Sequence, residues 1–176
     1  LPVVVLLVIF EGIFMLPHAA RSQTPSEPLL IPELQSSIKL DGRLKDPAWS
    51  QARQLHAVQH KPHFGKEPTQ QTTFLIGYTR EYIYAGFRFR DTSELSAPSF
   101  KRDYMGADSD GAILILDTFN DNESGVAFLT TPTGLRTDFS IAQDATGGQP
   151  IDASWNTFWD SEVHPTSKGW TAEMRI

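Results

Sequence analysis

Apolar and polar side chains alternate with a period of two along most of the chain beyond residue 72. In residues 83–90 the apolar side chains occupy one phase, and two arginines lie in the other. Because successive side chains of a strand point to opposite faces of a sheet, this pattern predicts strands that bury one face. The segments that show it are residues 73–78, 83–90, 126–130, 135–141, 157–163 and 170–176.

Three further segments complete the predicted elements. Residues 111–117 are apolar almost throughout and predict a strand buried on both faces, and residues 38–40 predict a short strand. Asp46 followed by Pro47 predicts a short helix that ends near Ala52, because Asp caps free amide groups and proline loses no hydrogen bond there. About eight short strands with one short helix predict an all-β fold, a jelly-roll-like β-sandwich.

The beginning of the chain has a different composition. Residues 1–16 are apolar with a single charge, Glu11, and small residues follow around Ala20. This order is typical of a cleaved signal peptide and predicts export; a buried strand and a shortened membrane anchor are the alternatives. The chain lacks an initiator Met and stops within an alternating pattern, which indicates a fragment of a longer exported protein. The predicted organisation is a signal peptide at 1–22, a proline-containing linker at 23–36 and one domain at 37–176.

Composition narrows the classes of function. The chain has 176 residues, no cysteine and a formal net charge of -6, with its basic residues scattered along the sequence. Nucleic acid is therefore not an expected partner, and disulfides, thiol nucleophiles and zinc–thiolate sites are excluded. We find no nucleophile elbow, metalloprotease motif or phosphate loop, so no catalytic residue is assigned. Any glycoside hydrolase activity would belong to regions outside this chain or to partners.

Two tryptophans four residues apart, Trp155 and Trp159, are the first candidates for a binding site. An indole ring matches the apolar face of a sugar, and nearby charged groups bind its hydroxyls. Arg102, Asp103 and Arg136 are the candidates for those hydrogen bonds. The alternatives are that one tryptophan fills the core and that the arginines form surface ion pairs.

An acidic segment gives candidates for a metal site. Asp110, Asp117 and Asp121 lie in or beside predicted turns, and calcium takes several oxygen ligands from such places. The spacing is not that of a helix–loop–helix calcium loop, so a solvated acidic turn is the alternative.

Four segments in order give the chain a resemblance to a known family. They contain an Asp-Gly followed by Trp, a Tyr-Ala-Gly strand ending in Asp, an acidic strand ending in Leu-Asp, and a closing Gly-Trp with Glu and Ile. The segments are 38–49, 82–91, 108–117 and 169–176. Together they resemble family 9 carbohydrate-binding modules. The resemblance implies a β-sandwich that binds poly- or oligosaccharides, with calcium in some members, often beside a glycoside hydrolase.

Residues 116–128 and 131–138, with the two tryptophans, are similar to a bacterial branch in which the module precedes an outer-membrane β-barrel region. The resemblance implies an exported bacterial carbohydrate-binding module linked to polysaccharide catabolism, in the periplasm, the outer membrane or outside the cell. The alternative is an accessory domain of a barrel protein that binds no free sugar. A haem-binding relative, with Met105 and His164 as axial ligands, is a third hypothesis.

Overall fold

The computed structural model describes residues 29–60, 62–91, 95–104, 109–146 and 148–176, together with the backbone of residues 5 and 6. Apart from residues 5 and 6, the predicted signal peptide therefore lies outside the described residues, as do residues 23–28 of the predicted linker. Within the described part of the chain, no helix is both long and apolar enough to cross a membrane.

The strands form two antiparallel sheets, which confirms the predicted all-β sandwich. The first sheet has the two-residue strand β1 at its edge, and its order is β1 (Val5–Leu6), β5 (Ala112–Leu116), β6 (Gly125–Thr130), β7 (Arg136–Ile141) and β8 (Ile151–Asp152). The order of the second sheet is β2 (Arg53–His56), β3 (Thr72–Tyr78), β4 (Ile83–Arg90), β10 (Gly169–Arg175) and β9 (Asp160–Thr166). Two 3₁₀ turns complete the described elements, η1 (Pro47–Gln51) and η2 (Gln143–Ala145).

The main core lies between the two sheets. On the second sheet, Phe87 is opposite Phe74 on one side and Ala172 on the other, and all three are fully buried. They join Leu114 and Phe128 of the first sheet in one hydrophobic cluster. The alternating pattern therefore predicted the buried phase of β3 and β4 correctly, because burial of one face determines strand register.

The outer face of the second sheet is covered by the chain that precedes β2. Leu34, Ile38, Leu44 and Trp49 pack there against Tyr84 of β4. The predicted helix start is confirmed, since the Asp46 side chain accepts a hydrogen bond from the Ala48 amide at 3.0 Å at the start of η1.

The prediction of a strand at residues 38–40 is wrong. Ile38 is buried in the cluster on the sheet's outer face, so this segment crosses the face of the sheet, where no strand edge is available for pairing. Strand β2 was missed because its four residues are mostly exposed and show no alternation.

Candidate functional site

Residues 34–49, which cover the outer face of the second sheet, are called the covering segment. A fully buried carboxylate, Glu173 of β10, connects this segment to the sheet. Its Oε2 accepts hydrogen bonds from the amides of Asp41 at 2.7 Å and Gly42 at 2.8 Å. Its Oε1 accepts from the Leu44 amide at 3.0 Å and from the indole Nε1 of Trp49 at 2.8 Å. We call these five residues the Glu173 network. Four donors satisfy both oxygens of a carboxylate that would otherwise be costly to bury.

A glycine in β4 makes room for this network. A Cβ atom at Gly86 would lie 2.6 Å from Cδ2 of Leu44 and 3.0 Å from Cη2 of Trp49. Three of the four segments that carry the family resemblance thus meet here. They are residues 38–49 with Gly42 and Trp49, residues 82–91 with Gly86, and residues 169–176 with Glu173. These residues build the fold, so they do not themselves form a ligand site.

The five predicted ligand-binding residues lie close together at another place, where the chain passes from β8 to β9. Nε of Arg102 is 3.6 Å from Oδ2 of Asp103, and the Asp103 amide donates to the carbonyl of Arg136 at 3.2 Å. Arg136 in turn donates to the carbonyl of Trp159 at 2.7 Å, with its guanidinium carbon 5.9 Å from that indole centroid. The rings of Trp155 and Trp159 both contact Phe128, at centroid distances of 6.2 and 5.4 Å.

Asp138 of β7 lies at the centre of this group, and sequence reasoning missed it. Its side chain is fully buried, and it accepts from Nη2 of Arg102 at 2.8 Å and from the Thr157 amide at 2.7 Å. The same Arg102 nitrogen donates to Oδ1 of Asn156 at 3.1 Å. We call Arg102, Asp103, Arg136, Asp138 and Asn156 the Arg102–Asp138 network. Asp138 is opposite Phe128 and therefore on the inward face of its strand. No sequence signal marked it, because it shares its phase with Arg136 and Ser140 while Phe139 lies in the other phase.

Asp138→Asn is expected to lower the free energy of unfolding by about 2 kcal/mol, the usual size of a hydrogen bond to a charged group. The amide keeps the shape of the carboxylate but presents an NH₂ group to one of two donors. Arg102 is partly exposed and can turn to solvent, so the cost comes mainly from the Thr157 amide. Chemical denaturation measures the change.

The matched control is Asp144→Asn, since Asp144 is exposed in η2. It should stay within about 0.5 kcal/mol of wild type. Equal losses in the two variants would contradict the role given to Asp138.

Exposure distinguishes the aromatic side chains around the network. Trp159 is 6% exposed and lies in the main core, while Trp155 is half-buried and packs against that core. Phe158, between Thr157 and Trp159, is fully exposed, and Phe100, two residues before Arg102, is 82% exposed. Sequence reasoning missed both phenylalanines. The signal for Phe158 was its alternation with Trp159 within the predicted strand 157–163. In the structure both residues precede β9, which begins at Asp160.

The candidate metal ligands are engaged with backbone amides. Asp117 accepts from the amides of residues 119–122, and Asp110 accepts from the Ser96 amide at 2.8 Å. Hydrogen bonds from the amides of Ser124 and Glu123 hold the pKa of Asp121 below its ordinary value. Among the described residues, no three His, Asp or Glu side chains are placed to hold a metal ion together. This donor set does not fit a calcium site by itself, and calcium stays a prediction.

Comparisons of the chain with protein-family models, with curated proteins and with solved structures found no match. The resemblance to family 9 carbohydrate-binding modules therefore stays a prediction that rests on the four sequence segments. Any functional proposal depends on the geometry of the site.

Proposed function

We propose that this domain binds carbohydrate at the Arg102–Asp138 network, with Phe158 as the ring on which a sugar stacks. The observation that carries the proposal is the complete exposure of the Phe158 side chain. A flat exposed ring matches the apolar face of a pyranose, and nothing in the described part of the folded domain covers this one.

The backbone on both sides of Phe158 is held in place, which supports a preformed platform. The Thr157 amide donates to buried Asp138, and the Trp159 carbonyl accepts from Arg136. A ring on a fixed backbone loses less entropy when a ligand binds than a ring on a mobile loop does. Phe100 gives a second exposed ring next to the same network in the chain.

The polar groups beside these rings suit hydroxyl groups. Arg102 and Arg136 present guanidinium donors, and Asp103 and Asn156 present oxygen acceptors. Mixed donors and acceptors around an aromatic ring are the usual composition of a small-molecule site that orients its ligand by hydrogen bonds. The half-buried Trp155 stays a candidate for a further contact, while the buried Trp159 has the position of a support for the network.

The biological setting forms part of the proposal. We infer an exported bacterial domain that holds poly- or oligosaccharide for catabolism by other regions or partners. This inference rests on the signal-like composition of residues 1–22, which lie outside the described residues apart from β1, and on the family resemblance.

Phe158→Ala is expected to weaken retention of the domain by a soluble polysaccharide at least ten-fold, because it removes the stacking surface without touching the core. Affinity electrophoresis in xylan, mixed-linkage β-glucan and glucomannan gives the measurement, and calorimetry on the best ligand gives the dissociation constant. Phe100→Ala should give a smaller loss.

Phe119→Ala is the matched control, since Phe119 is 79% exposed but follows β5, away from the network. It should bind like wild type. Equal binding by all three variants would reject the site. A folded wild-type domain that no polysaccharide retains would reject carbohydrate binding and favour the accessory-domain alternative.

A further inference from the structure

One end of the second sheet gathers basic side chains in a chain whose net charge is -6. His56, Arg88 and His164 lie in a single row across the outer face, on β2, β4 and β9. Thr73 of β3 pairs with both His56 and Arg88, and Thr171 of β10 pairs with both Arg88 and His164. Arg90 lies two residues farther along β4, opposite Gly169, the residue that follows Lys168. Scattered positions in the sequence thus become neighbours through strand register.

The loop between β2 and β3 leaves the sheet at the same end. Two backbone hydrogen bonds close the tip of this loop, from the Gln59 amide to the Lys66 carbonyl at 2.8 Å and from the Gly65 amide to the Gln59 carbonyl at 2.9 Å. Within the closed tip, Phe64 is 72% exposed, and its ring is edge-on to the His60 ring at a centroid distance of 6.1 Å. Val58 at the base is 54% exposed. The loop therefore projects a large apolar side chain between basic groups.

We define the basic end of the second sheet by Lys66, Arg88, Arg90 and Lys168, all exposed, together with the loop that carries Phe64. Within the described residues none of these four cations is ion-paired. The same holds for Lys39, Lys45, Arg53, Arg80 and Lys101, so the basic end is distinguished by the clustering of its cations. Two acidic residues follow members of the basic end in the sequence, Glu67 after Lys66 and Asp91 after Arg90. Asp41, close to His164 through its neighbour Gly42, is ion-paired with Arg43.

We propose that the basic end of the second sheet docks on an anionic lipid surface, with Phe64 entering the interface between headgroups and acyl chains. Unpaired cations attract anionic headgroups, and an exposed aromatic side chain gains free energy at the apolar boundary. A soluble polyanion would use the cations but would give no role to Phe64 or Val58, so the combination favours a bilayer. This proposal does not depend on carbohydrate binding.

The test uses the 176-residue chain, which has no cysteine, so a single introduced thiol can be labelled uniquely. An environment-sensitive dye is placed at His63→Cys, beside Phe64, and in a second protein at Glu123→Cys, in the exposed turn after β5. Residues 1–16 are apolar and would adsorb to any vesicle, but each dye reports only its own position. The probes are vesicles of pure phosphatidylcholine and of phosphatidylcholine mixed with phosphatidylglycerol.

We expect the dye at position 63 to shift to the blue with the mixed vesicles and not with neutral ones, and high salt should reverse the shift. The dye at position 123 should not respond. Equal responses to both vesicle types, equal responses at both positions, or no response at position 63 would each overturn the proposal. Binding to inorganic polyphosphate without a response to vesicles would assign the surface to a soluble polyanion and would also overturn it.

Matched substitutions in the position-63 background test the residues. Arg88→Glu should weaken the interaction with mixed vesicles about 30-fold. Each unit of charge near an anionic leaflet changes the affinity about five-fold, and this substitution changes the charge by two units. Arg80→Glu changes net charge equally, but Arg80 lies in the β3–β4 turn at the opposite end of the sheet and should change binding less than two-fold. Lys168→Glu, in a surface turn, is a second reversal if the first variant does not fold. Equal effects of the reversals at both ends would contradict the proposed orientation.

Phe64 needs its own comparison. Phe64→Ser should reduce the blue shift of the dye at position 63 with mixed vesicles, and Phe119→Ser should leave it unchanged, because both rings are exposed and only the first lies at the basic end. If Phe64→Ser binds like the unsubstituted protein, the interface is purely ionic and the insertion step is rejected.

Discussion

Glu173→Ala is expected to lower the free energy of unfolding by about 4–6 kcal/mol, because each buried donor left without an acceptor costs about 1–3 kcal/mol. The variant leaves four donors without their acceptor: the buried amides of Gly42 and Leu44, the buried indole of Trp49 and the part-buried amide of Asp41. Such a loss is a large part of the 5–15 kcal/mol that usually stabilises a whole domain. Urea denaturation followed by tryptophan fluorescence measures it.

Glu162 supplies a matched control, because it lies directly opposite Glu173 on β9 and is exposed. Glu162→Ala should change stability by less than about 0.5 kcal/mol, as is usual for surface sites. Glu173→Gln should lie between the two, since the amide keeps one acceptor oxygen. If Glu173→Ala were as stable as Glu162→Ala, the Glu173 network would not hold the covering segment on the sheet.

Gly42→Ala is expected to cost about 3–4 kcal/mol for two separate reasons. The φ angle of Gly42 is +74°, a left-handed conformation that costs an L-residue about 1–2 kcal/mol. An added Cβ would also lie 2.5 Å from the carbonyl carbon and 2.8 Å from the Cα of Val163. Because backbone atoms cannot rotate away, the covering segment would have to shift, at a further cost of about 1–3 kcal/mol. Thermal unfolding followed by circular dichroism measures the loss.

Gly65→Ala separates the two contributions. Gly65 has a φ angle of +77°, and nothing lies within 4 Å of an added Cβ. It should lose only the conformational part, about 1 kcal/mol. Similar losses at Gly42 and Gly65 would mean that close approach to β9 contributes nothing.

The strands with a clear alternating pattern could be predicted from the sequence because burial of one face imposes a period of two. Phe74, Ala85 and Phe87 all lie in the main core at the predicted phase. The short edge strands β2 and β8 could not be predicted, since their side chains are mainly exposed and no burial pattern marks them. The path of residues 38–40 also depends on a contact with distant Tyr84, which local sequence does not encode.

The candidate site could be predicted only in part. In the structure the arginines and tryptophans lie close together, but their burial could not be known from residue type. Phe158 was missed because only its alternation with Trp159 separates an exposed phenylalanine from a buried tryptophan, and both precede β9. Asp138 was missed because one acidic residue in a strand does not show whether it faces water or the core. The basic end of the second sheet was invisible because residues as far apart as His56 and His164 share one row.

The hydrogen bond from Asp41 to Glu173 joins residues 132 positions apart, which has a consequence for the order of folding. Contacts of such long sequence separation close a large loop and form slowly. As the chain emerges from a ribosome, the amides of Asp41, Gly42 and Leu44 and the indole of Trp49 lack their carboxylate acceptor until β10 has followed. The covering segment can therefore dock only late, and until then Tyr84 and Gly86 on the outer face of β4 are open to chaperones and to other chains.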